Sequence, residues 1–232
     1  MKKFSLLLVG FLAVTSCAKS PEQIYEKNKD KVVKIGMVDD KGGHGSCSGA
    51  FIDKYGTVLT CAHCFSHQGI VKIFVKTEDE TVYNAIVIKK DKEKDLALVS
   101  VIGVDGNFPW DYAGISFGSG IAPSNFPFFN FFRKPLKRGQ QVLLFGSPLG
   151  IQHSMAVGYV ENFKEEIGGM EHHIVINSAA INPGNSGGPL VDLHGNLIGI
   201  GEGSIMANPF VPADGLGFAI DVTTIKSFLE EK

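Results

Sequence analysis

Between Val32 and Ile220 the chain is divided into short apolar runs separated by turn-prone segments, and that spacing restricts the fold more than any other feature. One series comprises Val32–Val38, Cys47–Ile52, Thr57–Thr60, Val71–Val75, Val82–Ile88 and Leu96–Val101. A second comprises Gln141–Phe145, Ser154–Asn162, His173–Asn177, Leu190–Leu193, Leu197–Ile200 and Gly217–Ile220. Segments such as Lys41-Gly42-Gly43 and Asp53-Lys54-Tyr55-Gly56 punctuate them. Many short strands with regular turns predict an all-β, antiparallel sandwich or barrel. Only the end of the body reads as helix: Val222, Ile225, Phe228 and Leu229 fall on one face at near 3.6 spacing, as a lid. The 28 glycines among 232 residues fit tight turns between strands. A chain 44% hydrophobic and 20% charged is too apolar for disorder. Its net charge of −2 offers no basic field for phosphates, which excludes a nucleic-acid partner. The length suits one large domain or two small ones, and no repeat is visible.

Met1–Ser16 reads as an export signal. Lys2 and Lys3 precede an apolar run, Phe4–Val14, broken only by Ser5 and Gly10 and too short to span a bilayer comfortably. A buried helix is the competing reading. Val14-Thr15-Ser16-Cys17 resembles the lipobox of bacterial lipoproteins, in which the cysteine is lipidated and becomes the new N-terminus. An ordinary signal peptide with an incidental cysteine is the alternative. Several acyl chains on Cys17 would anchor the protein firmly, at about 0.8 kcal/mol per buried methylene. Ala18, where an Asp would resemble an inner-membrane retention signal, favours the outer membrane. Residues 17–31 then form an anchor and a helical spacer: Ser20-Pro21-Glu22-Gln23 carries a capping box with proline at the first helical position.

The chemistry concentrates at three separated places. In Asn182-Pro183-Gly184-Asn185-Ser186-Gly187-Gly188-Pro189 a serine sits in a glycine frame. A serine hydroxyl needs a base to take its proton, and the oxyanion it generates needs preorganised donors, which a tightly turning backbone can aim at one point. Leu59-Thr60-Cys61-Ala62-His63-Cys64 places a histidine at a strand end, and Lys94-Asp95-Leu96-Ala97-Leu98 places an acid at the start of a buried strand. Alone, each is more readily structural. Together they supply nucleophile, base and orienting carboxylate. Gly184-Asn185-Ser186-Gly187-Gly188 also satisfies the nucleophile elbow of α/β-hydrolases, but there the order is Ser, acid, His. Here the order is His63, Asp95, Ser186, and the one histidine after Ser186 is His194, in a turn.

On these residues the chain resembles chymotrypsin-fold serine proteases of the HtrA/Deg-type bacterial branch. The matching pieces are Cys47–Ile52, Leu59–Cys64, Asp95–Val99, Gly146–Gly150, Ala179–Leu190, Gly195–Ile200 and Gly215–Ile220. The resemblance implies two six-stranded β-barrels, at 32–101 and 141–232, with the catalytic groups in the cleft between them. It gives His63, Asp95 and Ser186 the catalytic roles. The amides of Gly184 and Ser186, around Asn185, become the oxyanion hole. Ala180, followed by Ile181, becomes the base of the primary pocket, with Gly201, Gly203, Ser204 and Phe218 as walls. No acid stands at that base, so a small or medium aliphatic residue is expected before the cleaved bond. The reading calls for protein or peptide substrates, no cofactor and no metal. It leaves a homo-oligomer open and expects no peptide-binding domain after Lys232.

Cys47 and Cys64 occupy places resembling the bridge beside the catalytic histidine in animal-type members, which implies a Cys47–Cys64 disulfide with Cys61 left over. A rival reading joins Cys61, His63, Cys64 and His67 as zinc ligands. The main departure from the family is the connection 102–140, with Phe108, Trp110, Phe117, Phe126, Phe128, Phe129, Phe131 and Phe132. It could cap the cleft, touch the membrane or hold a partner, which gives a second function reading, a non-catalytic binding module. Otherwise its aromatics fold back as a satellite core.

Overall fold

The computed structural model describes residues 19–104, 125–131, 136–148, 154–167, 170–177, 184–208 and 211–231. Helix α1 (Pro21–Asn28) opens the described chain, and its start is the expected capping box. The Ser20 hydroxyl accepts the Gln23 N–H (3.3 Å), and the Gln23 side chain accepts the Ser20 N–H (3.1 Å). Twelve strands follow. The first six are β1 (Val32–Asp39), β2 (His44–Phe51), β3 (Thr57–Cys61), β4 (Ile70–Lys76), β5 (Val82–Asp91) and β6 (Leu96–Val104). The second six are β7 (Gln141–Gly146), β8 (Ser154–Ile167), β9 (Met170–Asn177), β10 (Pro189–Val191), β11 (Leu197–Asn208) and β12 (Val211–Asp221). Helix α2 (Val222–Glu230) closes it, capped by Asp221, whose carboxylate accepts the Thr223 and Thr224 N–H groups.

All pairings between these strands are antiparallel, and they close two six-stranded barrels, β1-β2-β3-β6-β5-β4 and β10-β11-β12-β9-β8-β7. Several strands run longer than their apolar runs. β8 extends to Ile167, and β11 and β12 form a long hairpin, with Pro212 paired to Met206 within it. Register shifts near Gly201, Ser204 and Met206 let that ladder continue past them.

Alternation along the strands explains where each face goes. On β7, Val142 and Leu144 point into the second barrel's core, while Leu143 and Phe145 point outward into a third cluster between the barrels. On β3, Val58 fills the first barrel and Leu59 and Cys61 face the seam. The seam strands are therefore apolar on both faces.

The helices belong to that seam. Ile24 of α1 is 0% exposed and Tyr25 stacks on Phe145 at 6.0 Å, so the segment expected as a spacer is docked onto the body. Ile225 and Phe228 of α2, two of its expected apolar face, are buried in the same cluster. The described part of the connection, 125–131, folds back as well. Phe126 stacks on Phe51 (4.7 Å) and meets Tyr83 edge-on, inside the first barrel's core. Phe129 is buried in the seam, and Phe131 bridges to Leu197 of the second barrel. Phe128 alone of these is exposed, at 41%. Phe108, Trp110, Phe117 and Phe132 lie outside the described residues, as do residues 1–18 with Cys17. Among the described residues no helix is long and apolar enough to cross a membrane.

Candidate active site

The register of the first barrel brings His63 and Asp95 together. Cys61, the last residue of β3, pairs with Leu96, the first of β6, so the residues just beyond these ends are neighbours. A single 3-10 turn, His63–Phe65, carries the histidine. The Ala62 N–H donates to the Asp95 carbonyl (3.0 Å), and the His63 N–H to Asp95 Oδ1 (2.7 Å). Asp95 has φ 51°, the left-handed region that a short polar side chain tolerates, and this turns its carboxylate back toward the histidine. His63 Nδ1 then lies 2.6 Å from Asp95 Oδ2. A carboxylate oxygen can only accept, so Nδ1 carries the proton and Nε2 faces away as the acceptor. The Asp95 hydrogen bond, aided by the charges of Asp95 and Glu202, holds the His63 pKa above the ordinary histidine value against the pull of burial.

Ser186 stands on the second barrel, in the turn leading into β10, and its carbonyl accepts the Ser48 N–H of β2 across the seam (2.8 Å). The Gly187 N–H donates to the Gly201 carbonyl and the Gly201 N–H to the Gly188 carbonyl, both at 2.8 Å, which continues the β10–β11 ladder up to the serine. Gly187, at φ +83°, admits no side chain: a Cβ there would lie 2.0 Å from Thr60 Oγ1 and 2.3 Å from the Ser48 carbonyl oxygen. The half-buried Ser186 hydroxyl donates to the Glu202 carbonyl at 3.2 Å.

The described residues include part of the expected pocket. Gly203 of β11 pairs with Phe218 of β12, and Gly201 lies two residues earlier on the same strand. Phe218 is buried. Ala180, Ile181 and the side chain of Ser204 lie outside the described residues. Asn185 is buried beneath the serine turn, and Gly184 has φ +102°.

A disulfide joins Cys47 of β2 to Cys64, the residue after His63. It takes Cys64 out of the rival zinc set, and the His67 ring pairs with Asp39 at 2.9 Å. The Cys61, His63 and Asp95 donor atoms do lie within 4.8 Å of one another. However, burial pushes the Cys61 thiol well up, the adjacent carboxylates add to this, and its S–H donates to the Gly201 carbonyl at 3.3 Å. Cys61 is a protonated tie between the barrels. It and Ser48 carry site contacts that sequence spacing did not single out.

A trypsin-like peptidase domain model matches residues 47–200. The putative protease Do-like 14 of Arabidopsis thaliana is 29% identical over 95% of this chain, and serine protease HTRA1 of Xenopus tropicalis is 31% identical over 80%. These alignments span 49% and 36% of the relatives, so the chain matches about half of their length or less. Among solved structures, the HtrA-type protease AlgW with tripeptide is 26% identical with a TM-score of 0.71, covering 91% of this chain and 62% of that one. The serine endoprotease from Yersinia pestis, 22% identical with a TM-score of 0.70, covers 91% and 66% and shares the fold. Two closed barrels, a histidine–aspartate pair at the seam and a matching model over residues 47–200 lead to one conclusion: the chain belongs to the trypsin-like peptidase domain family, with HtrA-type proteases among its relatives.

Proposed function

We propose that the chain is a serine endopeptidase that hydrolyses peptide bonds of protein substrates through an acyl-enzyme on Ser186. The observation that carries this reading is the 2.6 Å His63–Asp95 pair. In the reaction the Ser186 proton leaves the Glu202 carbonyl for His63 Nε2 as Oγ attacks the scissile carbonyl. Asp95 keeps the Nδ1 tautomer and stabilises the imidazolium; His63 then returns the proton to the leaving amine, and water repeats the sequence on the ester. The Gly184 and Ser186 amides receive the oxyanion, where one such donor is worth roughly 3–4 kcal/mol in related sites.

The reading extends to location and preference. Export with a lipid anchor at Cys17, in an outer membrane facing the periplasm, is supported by the charged and apolar start of the chain and by a Cys47–Cys64 disulfide suited to an oxidising compartment. A small or medium aliphatic residue before the cleaved bond is supported by Ala180 in the place of the pocket base. A fluorophosphonate probe labels Ser186 in the folded full-length protein, and Ser186→Ala abolishes labelling and casein cleavage together. Folded protein that takes no label overturns the proposal; a peptide library cut after basic residues overturns the pocket assignment alone.

A further inference from the structure

Four hydrogen bonds converge on one serine that is not a member of the proposed triad. Ser48, on β2 of the first barrel, is 0% exposed. Its N–H donates to the Ser186 carbonyl (2.8 Å), and its hydroxyl donates to the Gly184 carbonyl (2.7 Å). The same hydroxyl accepts the Ser147 N–H (2.8 Å), and the Ser48 carbonyl accepts the Thr60 hydroxyl (2.7 Å). The polarity is fixed. An amide can only donate and a carbonyl can only accept, so the single hydroxyl proton must lie toward Gly184.

Ser48 therefore holds both carbonyls that flank Asn185. Each peptide unit is planar, so holding a carbonyl also sets the amide at the other end of that unit. The Ser186 carbonyl shares its unit with the Gly187 N–H, itself bonded to Gly201, so that unit is held at both ends. The Gly184 carbonyl is different, because Gly184 sits at φ +102°, where glycine rotates at little cost. Its restraint from the first barrel is the Ser48 hydroxyl.

We propose that Ser48 is a positioning residue for the oxyanion site, its hydroxyl locking the Gly184–Asn185 peptide so that the Gly184 and Ser186 amides converge on one point. The proposal rests on the serine endopeptidase reading. A purely structural Ser48, one more bond across the seam, makes different predictions.

The experiment compares Ser48→Ala and Ser48→Thr with wild type, in the full-length protein, below each variant's unfolding midpoint. Fluorophosphonate labelling of wild type tests the parent reading first. Given a labelled wild type, Ser48→Ala lowers kcat about 10- to 100-fold, short of the 10²–10³ seen when a donor is deleted outright, with KM within about threefold. The inhibition constant of a peptide aldehyde, which forms a tetrahedral adduct, rises by the same factor. Ser48→Thr keeps the hydroxyl and recovers most of kcat. A Ser48→Ala protein that melts earlier but retains kcat and aldehyde affinity overturns the positioning role and leaves the peptidase reading standing. Should Ser48→Ala fail to fold, a folded Ser48→Thr with unaltered aldehyde affinity supports the proposal, and one that loses affinity while retaining the hydroxyl overturns it. Unlabelled wild type removes both.

Discussion

The two halves of the proposed site, that of the base His63 and that of the nucleophile Ser186, are built by opposite means. The base side is local to the first barrel: a β3–β6 register, a three-residue turn and two backbone contacts to Asp95 place His63 within one barrel. The nucleophile side is assembled from a distance. Ser186 takes its place from Gly201 on β11 and, across the seam, from Ser48, with Thr60 and Cys61 buttressing the same turn. A local arrangement survives small shifts between barrels, whereas a bridged one transmits them. Changes to the first side should therefore alter chemistry without much effect on stability, and changes at the seam should alter both.

Asp95→Asn is the sharpest test. Asn tolerates the same left-handed backbone, so folding is little changed, while the amide presents the wrong partner to Nδ1. Activity falls on the order of 10⁴-fold in steady-state cleavage, with an unfolding curve near wild type. In wild type the acid limb of kcat/KM lies above the ordinary histidine pKa, because the raised His63 must lose its proton before it can accept one. In Asp95→Asn the residual limb moves to lower pH. A limb unmoved by this change would mean that His63 does not set it.

At the seam, Phe129→Ala removes a fully buried ring between the barrels and costs about 3–5 kcal/mol in urea unfolding, with activity lost at lower urea than in Asp95→Asn. Equal sensitivity of the two variants would erase the contrast. A smaller effect comes from removing the Cys47–Cys64 bridge by double Ser substitution. The 17-residue separation gives about 3 kcal/mol, felt beside both His63 and Ser48.

The same division governs what could be read from the residues alone. The number and order of the strands were legible because period-2 apolar runs and turn residues are local signals. So was the capping box at Ser20. His63, Asp95 and Ser186 stood out by residue type, glycine frame and chain order, and the structure puts the first two in contact. The hydroxyl of Ser48 was not legible, since its partners are 99 and 136 residues away. Nor was the docking of α1: its short apolar stripe resembles that of any surface helix until Phe145 is known to lie beneath it. For Phe126 and Phe129 the residues left both a partner surface and a fold-back open, because a long connection hides which barrel its side chains will enter.

The seam also bears on how such a protein is made. Its cluster draws on Ile24 near one end of the described chain and Phe228 near the other, with Phe129 between them. The six strands of the first barrel pair with one another, so that barrel can close before the second, whichever compartment the chain folds in. The His63–Asp95 pair can then form early, whereas the seam cluster is complete only once Phe228 has joined it. On the proposed reading, activity arrives late in folding, once almost the whole chain is available to the seam.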